Sequence, residues 1–110
     1  MKTYPITRSD GTMMAFEVTS SWVSFVPLFR ILESVDGVTD VGRQYRNDDR
    51  VAFRFQGERF VVNEPWGDNS RYWIGPSDPA ACQVDALPLE KAFSEYKGWT
   101  IFWPKRPVAG

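Results

Sequence analysis

Val51–Gly75 reads VAFRFQGERFVVNEPWGDNSRYWIG, and the alternation of apolar and polar residues along it, interrupted by two turns, decides the fold. Period-two alternation is the mark of half-buried strands, so the segment reads as a three-stranded antiparallel meander. A two-residue turn at Gln56-Gly57 sets Phe55 opposite Glu58, Arg54 opposite Arg59, Phe53 opposite Phe60 and Val51 opposite Val62. Large apolar side chains then meet on one face, and a slip of one residue would scatter them.

Upstream, Tyr4–Val18 reads as a hairpin around Ser9-Asp10-Gly11. A loop of Asp10-Gly11 alone sets Tyr4 against Glu17 and Ile6 against Ala15. A three-residue loop closed by Gly11 in the left-handed region instead sets Ile6 against Met14 and Tyr4 against Phe16, and its better apolar match makes it the preferred register. Pro5 donates no ladder hydrogen bond, which places the first strand at a sheet edge. Between Ser20 and Asp36 the spacing of Phe25, Leu28, Phe29 and Leu32 changes to three and four, predicting a helix that begins with Pro27 and stops at Gly37. Val38–Tyr45 reads as a strand; a four-residue loop would pair Tyr45 with Arg50 and put Arg43 on the face of Arg54, and a five-residue loop would reverse this.

Downstream, Gly75-Pro76-Ser77-Asp78-Pro79 breaks the sheet, with one helical turn expected over Pro79–Gln83. Leu89, Ala92, Phe93 and Tyr96 recur at i, i+3, i+4, i+7, predicting a second helix that ends at Gly98. Trp99, Ile101 and Trp103 alternate as a short strand or extended arm. The expected fold is α+β, in the order ββαβββα: one domain over 1–104 with a largely antiparallel sheet of five or six strands, two helices on one face, and a flexible tail over 105–110. Phe16, Leu28, Phe29, Leu32, Phe53, Phe60, Val62, Leu89 and Phe93 are the expected core.

A chain of 110 residues buries roughly 65% of its unfolded surface, enough for a core without staples. Its net charge of −1 argues against a general nucleic-acid or membrane-surface binder. A single cysteine, Cys82, makes no intrachain disulfide, and no stretch approaches the ~18 apolar residues of a membrane span, so the expected compartment is the cytoplasm.

The chain has no histidine, which removes imidazole-activated nucleophiles and the common zinc sites. Phosphate-cradling glycine motifs are missing as well, so no catalytic residue, cofactor or metal site is expected. Asn47, Asp48 and Asp49 read as a solvated turn because they lack the spacing of a calcium loop. Carboxylates remain: Glu64 and Asp68 flank Trp66 in a polar loop of the composition found at sugar-binding or glycoside-cleaving sites.

Six of the nine arginines fall between Arg43 and Arg71. With Phe53, Phe55, Phe60, Val62, Tyr72 and Ile74 turned toward the helices, alternation sends Arg54, Arg59, Arg71 and Trp73 to the opposite face. Arginine beside aromatic residues is the mixture favoured at interface hot spots, and Arg54 opposite Arg59 is a like-charge pair that an anionic partner would relieve. The expected function is therefore a small non-catalytic binding protein that engages an acidic protein surface through these four residues. The alternatives are a carbohydrate-binding or hydrolytic domain using Glu64, Trp66 and Asp68, and a homodimer formed through Trp99, Ile101 and Trp103. A solvated sheet face with arginine stems spread over apolar surface accounts for the same pattern without function.

Overall fold

The structure, a computed structural model, describes residues 2–19, 26–44, 49–64 and 71–96. The elements are β1 (Thr3–Thr7), β2 (Met13–Thr19), α1 (Val26–Glu33), β3 (Val38–Arg43), β4 (Asp49–Phe55), β5 (Glu58–Asn63), β6 (Arg71–Pro76) and α2 (Leu87–Glu95). The strands form one antiparallel sheet in the order β1-β2-β6-β5-β4-β3. The β1–β2 hairpin occupies one edge, α1 carries the chain to the other, and the meander returns until β6 pairs with β2. This is the expected α+β fold, with four strands between the helices where the order ββαβββα has three.

The central hairpin has the register read from its alternation: Phe53 faces Phe60, Arg54 faces Arg59, Phe55 faces Glu58 and Val51 faces Val62. Gln56 (φ 53°) and Gly57 (φ 83°) both adopt left-handed backbone, the two-residue turn whose twist matches that of the strands. The non-glycine position costs on the order of 1 kcal/mol. The Gln56 N–H donates to the Gly37 carbonyl at 3.1 Å, tying this turn to the loop after α1.

Both helices pack on the same face. Phe16, Val18, Val51, Phe53, Phe55, Phe60, Val62, Tyr72 and Ile74 meet Leu28, Ile31 and Leu32 of α1 and Leu89 and Phe93 of α2 in one buried cluster. Ring centroids lie 5.7 Å apart for Phe53–Phe60, 5.6 Å for the edge-on Phe55–Phe60 pair and 5.5 Å for Phe16–Phe93. Phe29, expected in the core, is only partly buried at its margin.

Several local expectations are corrected, and the β3–β4 register, open between two loops, is decided. The β1–β2 loop does have three residues: the Arg8 N–H donates to the Thr12 carbonyl at 2.7 Å, and Gly11 is left-handed (φ 91°). However, a bulge between Ile6 and Thr7 restores the pairings Tyr4↔Glu17 and Ile6↔Ala15. Tyr4 and Ile6 thus lie on the face away from the helices, while Thr3, in phase with Val18, donates to the Glu90 carboxylate of α2. Within the loop Asp10 accepts from the Thr12 hydroxyl (2.6 Å) and N–H (2.9 Å), bonds that hold its carboxyl below the ordinary range.

Second, the β3–β4 register is that of the longer loop: Arg43 faces Val51, and the Gln44 N–H donates to the Arg50 carbonyl at 2.9 Å. Arg43 therefore shares the phase of Val51 rather than of Arg54. β3 is irregular between Thr39 and Gly42, with Asp40 left-handed (φ 56°), an edge poorly suited to pairing with another strand.

Third, α1 stops at Glu33 and α2 at Glu95, both earlier than periodicity predicts; α2 ends where Tyr96, packed against the core, leaves the helical conformation (φ −67°, ψ 131°). Gly37 (φ 92°) makes the left-handed exit after α1. Asp85, one residue before the N-cap Ala86, accepts through Oδ1 from the Leu87 N–H (3.0 Å) and from the Met13 N–H of β2 (3.2 Å), which ties the start of α2 to the sheet. Contrary to expectation, Gly75 and Pro76 continue β6, pairing with Val61 and Phe60, and in place of a helical turn over Pro79–Gln83 there is a single turn at Pro79–Ala81, the Ala81 N–H donating to the Asp78 carbonyl at 3.2 Å. The expected strand or arm at Trp99, Ile101 and Trp103 and the tail over 105–110 lie outside the described residues.

Two substitutions in the central hairpin should act in opposite directions. Phe60→Ala should cost about 3–5 kcal/mol in urea unfolding, and Gln56→Asn, better suited to left-handed backbone, should gain on the order of 0.5 kcal/mol.

Candidate functional site

On the sheet face turned away from the helices, the pairings line up side chains in rows that cross the strands. One polar row runs Tyr4, Glu17, Trp73, Asn63, Asp49. The next is built of small residues: Ala15, then Gly75, Val61, Ala52 and Gly42. The third contains Arg59, Arg54 and Thr39. Strand spacing puts the two polar rows about 13 Å apart, with the small residues as the floor between them.

All four arginine-face residues lie on this side of the sheet, in two groups. Arg54 and Arg59 are exposed and directly opposite each other. Arg54 Nη1 donates to the Gly57 carbonyl at 2.9 Å, closing the hairpin, and neither guanidinium has a carboxylate partner among the described residues. Arg71 is engaged toward the β1 edge of the same face: its Nη1 lies 3.0 Å from Glu17 Oε1, and its guanidinium stacks 3.7 Å from the Tyr4 ring centroid. The Tyr4 hydroxyl, 3.5 Å from the Thr19 hydroxyl, has its pKa lowered by that hydrogen bond and by the charges of Lys2 and Arg71. Arg71 thus braces β1, β2 and β6 together.

Trp73 stands between the groups. A Cβ on Gly75 would sit 2.6 Å from Ala15 Cβ and 2.8 Å from the Trp73 ring, so only glycine leaves room for the indole to lie over β6. Beyond the ring is a cavity of about 360 Å³ with Val61 as floor, Asn63 and Asp49 on one side and Arg59 and Ser77 on the other. Asn63 Nδ2 donates to Asp49 Oδ1 at 2.9 Å, which orients the amide. Arg59 also lines a smaller cavity of about 190 Å³ with Arg54, Asp40, Gly42 and Gln44, so the trench continues from β6 to β3.

Glu64, named for the alternative loop site, is 5% exposed, and its Oε1 lies 2.8 Å from Arg50 Nε. Its carboxylate is committed to an ion pair at the end of β5. Trp66 and Asp68 lie outside the described residues, as do Asn47 and Asp48. A cavity of about 550 Å³ lies on the other side of the molecule between α1 and α2, lined by Arg30, Lys91, Glu95, Ile31 and Ala92. Tyr96 lines it too, its pKa raised by burial against the opposing effect of Arg30. That mixture of charges favours no single ligand. Cys82 is buried, and its carbonyl accepts from Arg8 at 3.0 Å. Among the described residues no group of acids and thiols could hold a metal ion, and no helix is long and apolar enough to cross a membrane.

Sequence reading missed Asp49, Val61, Ala52 and Ser77 as parts of this surface. Asp49 comes into phase with Asn63 through a bulge between Asp49 and Val51, which no residue pattern announces. No protein family, curated protein or solved structure matches this chain.

Two stability measurements separate the charged groups. Glu64→Ala should cost about 2 kcal/mol, less than the 3–5 of a fully buried pair because Arg50 is 30% exposed. Arg59→Thr should gain on the order of 0.5 kcal/mol by removing the like-charge contact with Arg54.

Proposed function

We propose that this is a non-catalytic binding protein, resident in the cytoplasm, that engages an acidic protein partner through the sheet face turned away from the helices. Arg54 and Arg59 are the anchor, and Trp73 supplies the adjoining aromatic contact. The observation that carries this reading is the exposed, directly opposed pair Arg54–Arg59, without a carboxylate partner among the described residues. Guanidinium groups bind carboxylates in a fork geometry, and a partner's acid placed between them turns a repulsive contact into an attractive one. Arg71 belongs to the support of this surface, since Glu17 and Tyr4 already occupy it.

A histidine-free chain with one buried cysteine offers little for acid–base or nucleophilic chemistry, which favours binding over catalysis. One observation favours carbohydrate as a second reading. Trp73, Asn63 and Asp49 line one cavity, and an aromatic platform beside an amide and a carboxylate suits a sugar ring.

The test compares wild type with an Arg54→Glu, Arg59→Glu variant in affinity capture followed by titration of each retained protein at several salt concentrations. Acidic proteins bound by wild type should lose at least ten-fold in affinity to the variant and weaken with salt, while circular dichroism stays unchanged. Equal binding by both forms overturns the reading. Shifts of the Trp73 indole and Asn63 amide resonances on adding oligosaccharides, with no binding of acidic proteins, would establish the carbohydrate reading instead.

A further inference from the structure

The trench has walls of different chemistry, and this specifies more than negative charge. On one side stand Arg59 and Arg54. On the other are Trp73, Asn63 and Asp49, with Gln44 continuing toward β3. The floor of Val61 and Ala52 is apolar and, at 5% and 9% exposed, lies beneath the flanking side chains. The backbone rows that carry the two walls lie about 13 Å apart, with the Trp73 indole leaning over Gly75 between them, and the run from β6 to β3, about 14 Å, is the length of roughly four extended residues.

Resting on the binding function proposed above, we propose that the occupant is an extended peptide segment of the partner, about four residues long, in which acidic and apolar side chains alternate. Successive side chains of an extended chain point to opposite sides. Acidic residues therefore turn to Arg54 and Arg59, and their neighbours turn to Trp73 over Val61. Charge complementarity fixes which way the segment lies: the Asp49 carboxylate on the aromatic side repels an acid there and accepts backbone N–H donors. Asp40, which lines the β3 end of the trench, disfavours acids at that end. A ligand with uniform negative charge uses one wall, whereas an alternating one uses both.

The probes are three fluorescein-labelled eight-residue peptides with central sequences Glu-Leu-Glu-Leu, Glu-Ser-Glu-Ser and Gln-Leu-Gln-Leu, titrated by anisotropy and by shifts of the Trp73 indole and Val61 methyl resonances. The expected result is that Glu-Leu-Glu-Leu binds at least ten-fold more tightly than either control. Trp73→Ala should remove its advantage over Glu-Ser-Glu-Ser, and the Arg54→Glu, Arg59→Glu variant its advantage over Gln-Leu-Gln-Leu. Equal binding of the two acidic peptides, both lost in the double arginine variant, overturns the alternating-peptide inference and leaves the acidic-partner function standing. Absence of binding by every peptide, with acidic proteins still captured, also overturns it, and absence of both overturns the two together. Tighter binding of a uridine-rich RNA oligonucleotide or of an oligosaccharide at the same resonances would assign the trench to that ligand class and reject the peptide. Loss of the native circular dichroism spectrum in Trp73→Ala would be met with Trp73→Leu, which keeps an apolar side chain and should retain part of the preference.

Discussion

The register of the β4–β5 hairpin is the constraint on which the remainder of the domain depends. Phe53, Phe55, Phe60 and Val62 reach the helices together only while Gln56 and Gly57 occupy the turn, and a slip of one residue would send the pair on one of the two strands to the far face. Burying them at about 1.5–3 kcal/mol each outweighs the cost of holding Gln56 in left-handed backbone. The same period of two imposes the opposed arginines. A register that pairs Phe53 with Phe60 must pair Arg54 with Arg59, so the packing of the core and the charge of the far face are consequences of one alignment. The repulsive pair is tolerable because both guanidinium groups remain in water, where screening leaves only a small penalty.

β6 does a different task. It closes the sheet by pairing with β2, a contact between residues far apart in the chain, and it presents opposite chemistry on its two faces. Tyr72 and Ile74 enter the core, whereas Arg71 and Trp73 lie on the outer face and Gly75 leaves space for the indole. Glu17 and Tyr4 then draw Arg71 toward the β1 edge. The basic face is thereby divided: one arginine ties strands together, and two project into the trench.

Alternation and turn residues made most of the fold legible. They specified the meander and its pairing, the three-residue loop closed by Gly11, the helical periods of α1 and α2, and Phe16, Phe53, Phe60, Leu89 and Phe93 as buried residues. Local irregularities were not legible. The bulge at Ile6/Thr7 turned Tyr4 away from the core, and the early exit of α2 at Tyr96 overrode a continuing helical pattern. A bulge costs little locally and is selected by how an edge strand fits its neighbour and the helix above it, information that no short window of residues contains.

Of the proposed binding surface, the sequence by itself determined that Arg54, Arg59, Arg71 and Trp73 share a face, because strand alternation follows from the covalent geometry of the extended chain. Only the tertiary structure decided that Arg71 is tied to Glu17 and Tyr4, that Asp49 joins Asn63, and that Val61, Ala52 and Gly75 form a floor between two walls. Those relations depend on which strands are neighbours and in what register, and β1, β2 and β6 become neighbours only when the sheet closes. Alternation is a property of each strand alone, whereas a trench is a property of six strands assembled in one order.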